Sequence, residues 1–175
     1  PFEYSAFAGR WGTPIAGVAA AAMFVAAGYE GTRDRSLMAL LLLAFGASLV
    51  GGLAFWLSRW GVLDAPFARA RSVNLAATRG NPTLLLVAHL DSKSQPVPIG
   101  VRAASIIACL VLLATAMLLA VAQVAGAHVA WGWTPVTMLG VVASIPVMAT
   151  TVGARSPGAL DDASGVVTVL RAAEL

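Results

Sequence analysis

Charge is what this chain has least of: Asp, Glu, Lys and Arg together make up only 11% of its 175 residues. A water-soluble domain of this size carries about 25%. The deficit comes with 59% hydrophobic residues and a mean hydropathy of +0.83. An oversized soluble core does not explain uncharged runs this long, whereas membrane spans do. Cysteine is almost missing as well. Cys109 is the only one and falls inside an apolar run, so no disulfide framework exists and the residue reads as a small hydrophobe. The net charge of +3 is small. No Lys/Arg cluster forms a nucleic-acid footprint, which excludes that class of partner. The chain opens on Pro1 and stops at Leu175 within an apparent helix, so a piece of a longer protein is expected.

What is present is a set of apolar segments long enough for a bilayer, which takes roughly 17–25 helical residues per crossing. Four are expected. Residues 36–58 are uncharged, Leu-rich and flanked by Arg35 and Arg59. Residues 13–29 are shorter and Ala-rich; with no basic cluster ahead of them they read as a span rather than a signal peptide. Residues 103–154 contain no charged side chain at all, which is too long for one crossing. Gly126, Trp131-Gly132-Trp133 and Pro135 divide that run into spans at 103–126 and 134–153. Trp131 and Trp133 are expected at the membrane interface, and Pro146 can kink the fourth span.

Four crossings put residues 59–102 and the C-terminal tail on one side, and the turns at 30–35 and 127–133 on the other. Of the 11 basic residues, the first side collects Arg10, Arg59, Arg69, Arg71, Arg79, Lys93, Arg102, Arg155 and Arg171. The second has Arg33 and Arg35. The bias favours a cytoplasmic first side in a multi-pass protein of a bacterial cell membrane. Small residues in the spans (Ala16, Ala20, Ala27, Gly51-Gly52) read as helix packing, and Gln123 as a candidate for an interhelical bond. No expected span carries an ionisable group, which argues against an ion pathway.

The domains that follow are two helices in 13–58, a polar segment 59–102, an inserted hairpin 103–153 and a second polar segment 154–175. In the first polar segment, 72–77 and 83–88 read as strands, the latter continuous in apolar residues as in a sheet covered on both faces. The second strand ends at His89-Leu90-Asp91-Ser92, and sites in α/β sheets gather beyond strand ends. The second polar segment runs Gly158-Ala159-Leu160-Asp161-Asp162-Ala163-Ser164-Gly165 into a helix over 163–175. Two acids suit the start of a helix, with Asp162 as its N-cap. Taken singly, His-x-Asp is a hydrogen-bonded strand end and Asp-Asp a helix cap. Lys93, Ser94 and Gln95 read as a solvated loop. Together the two motifs are more specific, because an even number of spans returns them to one face.

On these residues the chain resembles the co-catalytic zinc exopeptidases of metallopeptidase family twenty-eight, which include bacterial leucyl aminopeptidase and aminopeptidase Y, with glutaminyl cyclases as relatives. The likeness covers residues 72–95 and 156–175, and the helical part looks like a membrane-embedded bacterial branch. The resemblance implies an α/β peptidase domain holding two zinc ions and hydrolysing a peptide substrate. It implies that His89 ligates one zinc and that Asp161 bridges both. Asp91 takes its catalytic part by orienting the His89 ring, a hydrogen bond that fixes the tautomer and raises ligand basicity. The metals would lower the pKa of a shared water towards ~7. Further ligands and a Glu-Glu general base are expected beyond Leu175, since Glu3, Glu30 and Glu174 sit in no such context. His128, beside the tryptophans, reads as interfacial and not as a ligand. Two alternatives stand beside the aminopeptidase: a non-catalytic membrane scaffold or transporter fragment, and a single-zinc acyltransferase like the glutaminyl cyclases. The oligomeric state and the particular peptide are left open.

Overall fold

A computed structural model describes residues 2–61, 66, 68–72, 95–153 and 163–174. Its main elements are long helices: α1 over Ala6–Thr32, α2 over Ser36–Trp60, α3 over Ile99–Val124 and α4 over Trp133–Met148. α1, α2 and α3 are long and apolar enough to cross a membrane, as is α4 together with the single 3-10 turn before it, Ala130–Met148. A 25-residue helix such as α2 is about 37 Å long at 1.5 Å per residue, more than the ~30 Å hydrocarbon core.

Local chemistry sets the helix ends. Ser5 caps α1 by accepting from the Phe7 N–H at 3.4 Å. Gly61 closes α2 in the left-handed region at φ 73°, its N–H bonding Leu57 O, a conformation glycine adopts without a Cβ penalty. Between α1 and α2, Asp34 takes φ 58°, a position that short polar side chains tolerate. Pro146 lies in the last turn of α4, so it precedes the helix end rather than kinking a long span.

The four helices form a ring in the order α1–α2–α3–α4, with α4 closing back on α1; neighbours pack extensively and the α1–α3 diagonal barely touches. Neighbours are antiparallel. Along α1 and α4, Gly31 meets Trp133, Gly28 meets Thr137, Gly140 meets Phe24 and Gly17 meets Met148. Gly46 of α2 meets Met23 of α1. The bundle therefore has a distal end, carrying the turns 33–35 and 125–132, and a proximal end. At the proximal end α1 and α3 begin and α2 and α4 finish.

The α1 side of the α1–α4 seam is a row at helical spacing, the small residues Gly17, Ala21, Gly28 and Gly31 with Phe24 among them, all buried. A Cβ built on Gly140 would lie 2.5 Å from the Phe24 ring, so the two backbones approach as closely as these side chains permit. Helices in lipid gain no hydrophobic drive from meeting each other, and such close packing supplies van der Waals energy instead. The core is Phe24 and Ala27 of α1, Ala39 and Leu43 of α2, Leu113, Ala116 and Ala120 of α3, and Trp133 and Val136 of α4. Every one of these lies in the distal half.

Two short strands complete the described fold at the proximal end. β1, Phe2–Ser5, runs straight into α1 and pairs antiparallel with β2, Arg69–Ser72, with Phe2 opposite Ser72 and Ser5 opposite Arg69. The expected strand at 72–77 meets the described residues only at Ser72, where β2 ends. Residues 73–77 and the expected strand at 83–88 lie outside the described residues. The helix expected over 163–175 is present as α5, Ala163–Glu174.

Candidate functional site

His89, Asp91 and Asp161 all lie outside the described residues, as do the proposed N-cap Asp162 and Lys93 and Ser94. What the structure does describe is how the chain leads up to them. α3 and α4 are an antiparallel pair: the Trp133 Nε1–H donates to Gln123 Oε1 at 2.7 Å, and Cys109 Sγ lies 3.7 Å from Ser144 Oγ. Ile99 and Met148 are consequently at the same, proximal end. β2, the last described element before His89, is there too, since its partner strand leads into α1. Gln95, the first described residue after Asp91, is exposed, and its side-chain oxygen accepts from the Arg102 guanidinium in the first turn of α3.

The donor set fits zinc in kind, an imidazole nitrogen and a carboxylate both being ordinary zinc ligands. It is short in number for a two-metal centre. Among the described residues there is no group of three or more His, Cys, Asp or Glu able to hold a metal ion, so the described helices do not supply the remainder.

The distal end holds a polar constellation that sequence reasoning found only in part. The Gln123 amide makes three hydrogen bonds there, using both donors and one acceptor position. Its Nε2 donates to Gly31 O at 3.0 Å and to Asp34 Oδ1 at 2.8 Å. Its Oε1 accepts the Trp133 indole N–H. One side chain thus ties the end of α1, the α1–α2 turn, α3 and the start of α4. Gly31 is required beneath the Trp133 ring, which occupies the space a Cβ would need. Beside this hub, Arg35 approaches Glu30 at 3.5 Å, its side chain 64% exposed and that of Glu30 18%. Arg33 stacks 4.2 Å above the Tyr29 ring. Glu30 Oε2 is buried with no hydrogen-bond partner among the described residues and has only the Arg35 charge beside it; the bonds of Gln123 make the constellation a structural lock.

Several sequence expectations change here. Trp133 is not an interfacial residue: it is 1% exposed because its indole N–H has a partner inside the bundle. Trp131, by contrast, is 77% exposed, and His128 is exposed in the same turn. Gly51 and Gly52 do not mediate packing, since a Cβ on either would meet nothing within 4 Å. Of the small α1 residues, Ala27 is buried and Ala16 exposed. The candidate spans also carry ionisable residues close to their ends, Arg10, Glu30, Arg59 and Arg102.

No family model matches the chain, and neither any curated protein nor any solved structure matches it. The likeness to zinc exopeptidases stands on the two sequence motifs.

Proposed function

We propose that the chain is part of a multi-pass membrane zinc metallopeptidase, an aminopeptidase, with its peptidase segments on the cytoplasmic side. The observation that supports this most is the antiparallel α3–α4 pair. His89 stands ten residues before Ile99, and Asp161 eight after Gly153. Both motifs therefore join the described chain at the proximal end of the bundle, where Ile99 and Gly153 lie, which supports their meeting on one side. His89 and Asp161 would hold metal, and Asp91 would fix the His89 ring by accepting its second N–H. Bound zinc would supply acidification of a water and polarisation of the peptide carbonyl. The positive-inside bias supports the orientation, with Arg10, Arg59 and Arg102 all near proximal helix ends.

The test is zinc content, by mass spectrometry, of the intact protein purified in detergent, alongside hydrolysis of aminoacyl chromogenic substrates. His89→Ala and Asp161→Asn are expected to lose zinc and activity together. Asp91→Ala is expected to weaken zinc affinity roughly 10–100-fold. Unchanged zinc content in both ligand variants would overturn the proposal, and one zinc per chain in place of two would redirect it to a single-metal acyltransferase.

A further inference from the structure

The contacts between α1 and α2 fade along their length in a way their sequences do not. On α2 the stripe facing the bundle runs Ala39, Leu43, Gly46, Val50, Leu53, Leu57, an uninterrupted apolar series at helical spacing. Ala39 and Leu43 are completely buried, yet Val50, Leu53 and Leu57 are 48%, 42% and 39% exposed. Every residue from Ser48 to Trp60 is exposed. Only 11% of the α2 span is buried, against 33% for α1.

The opposing face of α1 shows the same gradient. The Gly46–Met23 contact sets the antiparallel register, which brings Val50 level with Ala19, Leu53 with Ala16 and Leu57 with Gly12. Ala27 and Met23 at the distal side are buried and partly buried, whereas Ala19 and Ala16 are exposed. A Cβ on Gly12 would meet nothing within 4 Å. A smooth face of small residues thus stands opposite a ridge of Val and Leu at matched heights, uncovered on both sides. Within this exposed stretch α2 carries Gly51-Gly52, where an added Cβ would meet nothing within 4 Å, the weakest helix-formers available short of proline.

We infer that the proximal half of α2 is a flap that pivots at Gly51-Gly52 and closes onto the Gly12–Ala16–Ala19 face of α1. Closure buries Leu53 and Leu57, which lie beyond the pivot, in the small-residue groove, extending to the proximal half the packing already present in the distal half. The flap does not depend on the peptidase reading.

The test uses disulfide trapping in lipid bilayers, on the full chain with Cys109→Ala. Two pairs probe closure: Gly12→Cys with Leu57→Cys, and Ala16→Cys with Leu53→Cys. Met23→Cys with Gly46→Cys, in the packed half, reports that the protein is folded and the oxidant effective. A disulfide needs Cβ atoms about 3.8 Å apart, so only the closed flap can form one. Both probe pairs are expected to oxidise to completion within single chains. Replacing Gly51 and Gly52 by Ala is expected to slow that oxidation roughly tenfold by stiffening the helix. Free thiols in both probe pairs while the control pair is fully oxidised would overturn the flap, as would cross-links forming between chains. An unchanged rate with both alanines would overturn the glycine pivot.

Discussion

Replacing Gln123 by Leu should unlock the distal end of the bundle while leaving its shape in place. Leucine has a similar volume and suits a helix, so the variant removes hydrogen bonds with little change in packing. Three are lost: those to Gly31 O, Asp34 Oδ1 and the Trp133 indole N–H. They are unequal. Asp34 is exposed, so its carboxylate regains water and the loss there is small. Trp133 is 1% exposed, and its N–H is left unpaired, a cost of about 1–3 kcal/mol. Interhelical hydrogen bonds in membranes average nearer ~0.6 kcal/mol, with a maximum near ~1.7. Taking the buried indole as the dominant contribution gives an expected loss of about 2 kcal/mol. Unfolding of the purified protein by SDS titration in mixed micelles would measure it. A cycle with Trp133→Phe separates the shared bond from each residue's packing, with an expected coupling of about 1 kcal/mol. Additive variants, or a Gln123→Leu protein as stable as the parent, would refute the lock.

Two other perturbations test the packing and the placement of the chain. Gly140→Ala should destabilise by about 1–3 kcal/mol, because its methyl group would press into the Phe24 ring and overpacking has that cost. Gly51→Ala, with nothing within 4 Å, should be neutral or stabilising by up to about 1 kcal/mol; SDS titration reads both, and equal effects would contradict the close α1–α4 seam. In a Cys109→Ala background, His128→Cys and Gln95→Cys should react with a membrane-impermeant maleimide from opposite sides of sealed vesicles. Labelling of both from one side would contradict a bilayer-crossing bundle with distal and proximal ends in different compartments.

Much of the helical frame was legible because lipid-facing helices write their requirement into composition. The apolar windows at 13–29, 36–58, 103–126 and 134–153 anticipated α1 to α4, and the acid-led segment after Asp162 anticipated α5. Helix ends were read less well, since Arg10, Glu30 and Arg102 continue helices beyond the apolar windows that polarity alone would close. Gln123 stood out in the sequence as a polar residue in an apolar helix. Its partners did not. Gly31, Asp34 and Trp133 come from three other segments, and only the bundle's register brings them within hydrogen-bonding distance. Trp131 and Trp133, two residues apart and chemically identical, were indistinguishable until one was found inside the bundle and the other outside. β1 carried no signal, four residues being too few to show a period. The candidate metal residues were legible as motifs, and the structure contributes the return of α3 and α4 to one end.

The amino-acid order alone determined that this chain makes long apolar helices, where they break, and which two polar motifs flank the last pair. Those properties are set within a few turns of chain, by hydropathy, turn residues and capping. Tertiary structure decided which glycines lie against a neighbour and which lie open, which tryptophan is buried, and that α2 is exposed all round from Ser48 onward. Each of these depends on distances between segments far apart in sequence, and a helix periodic in apolar residues presents the same pattern whether its face meets another helix or lipid.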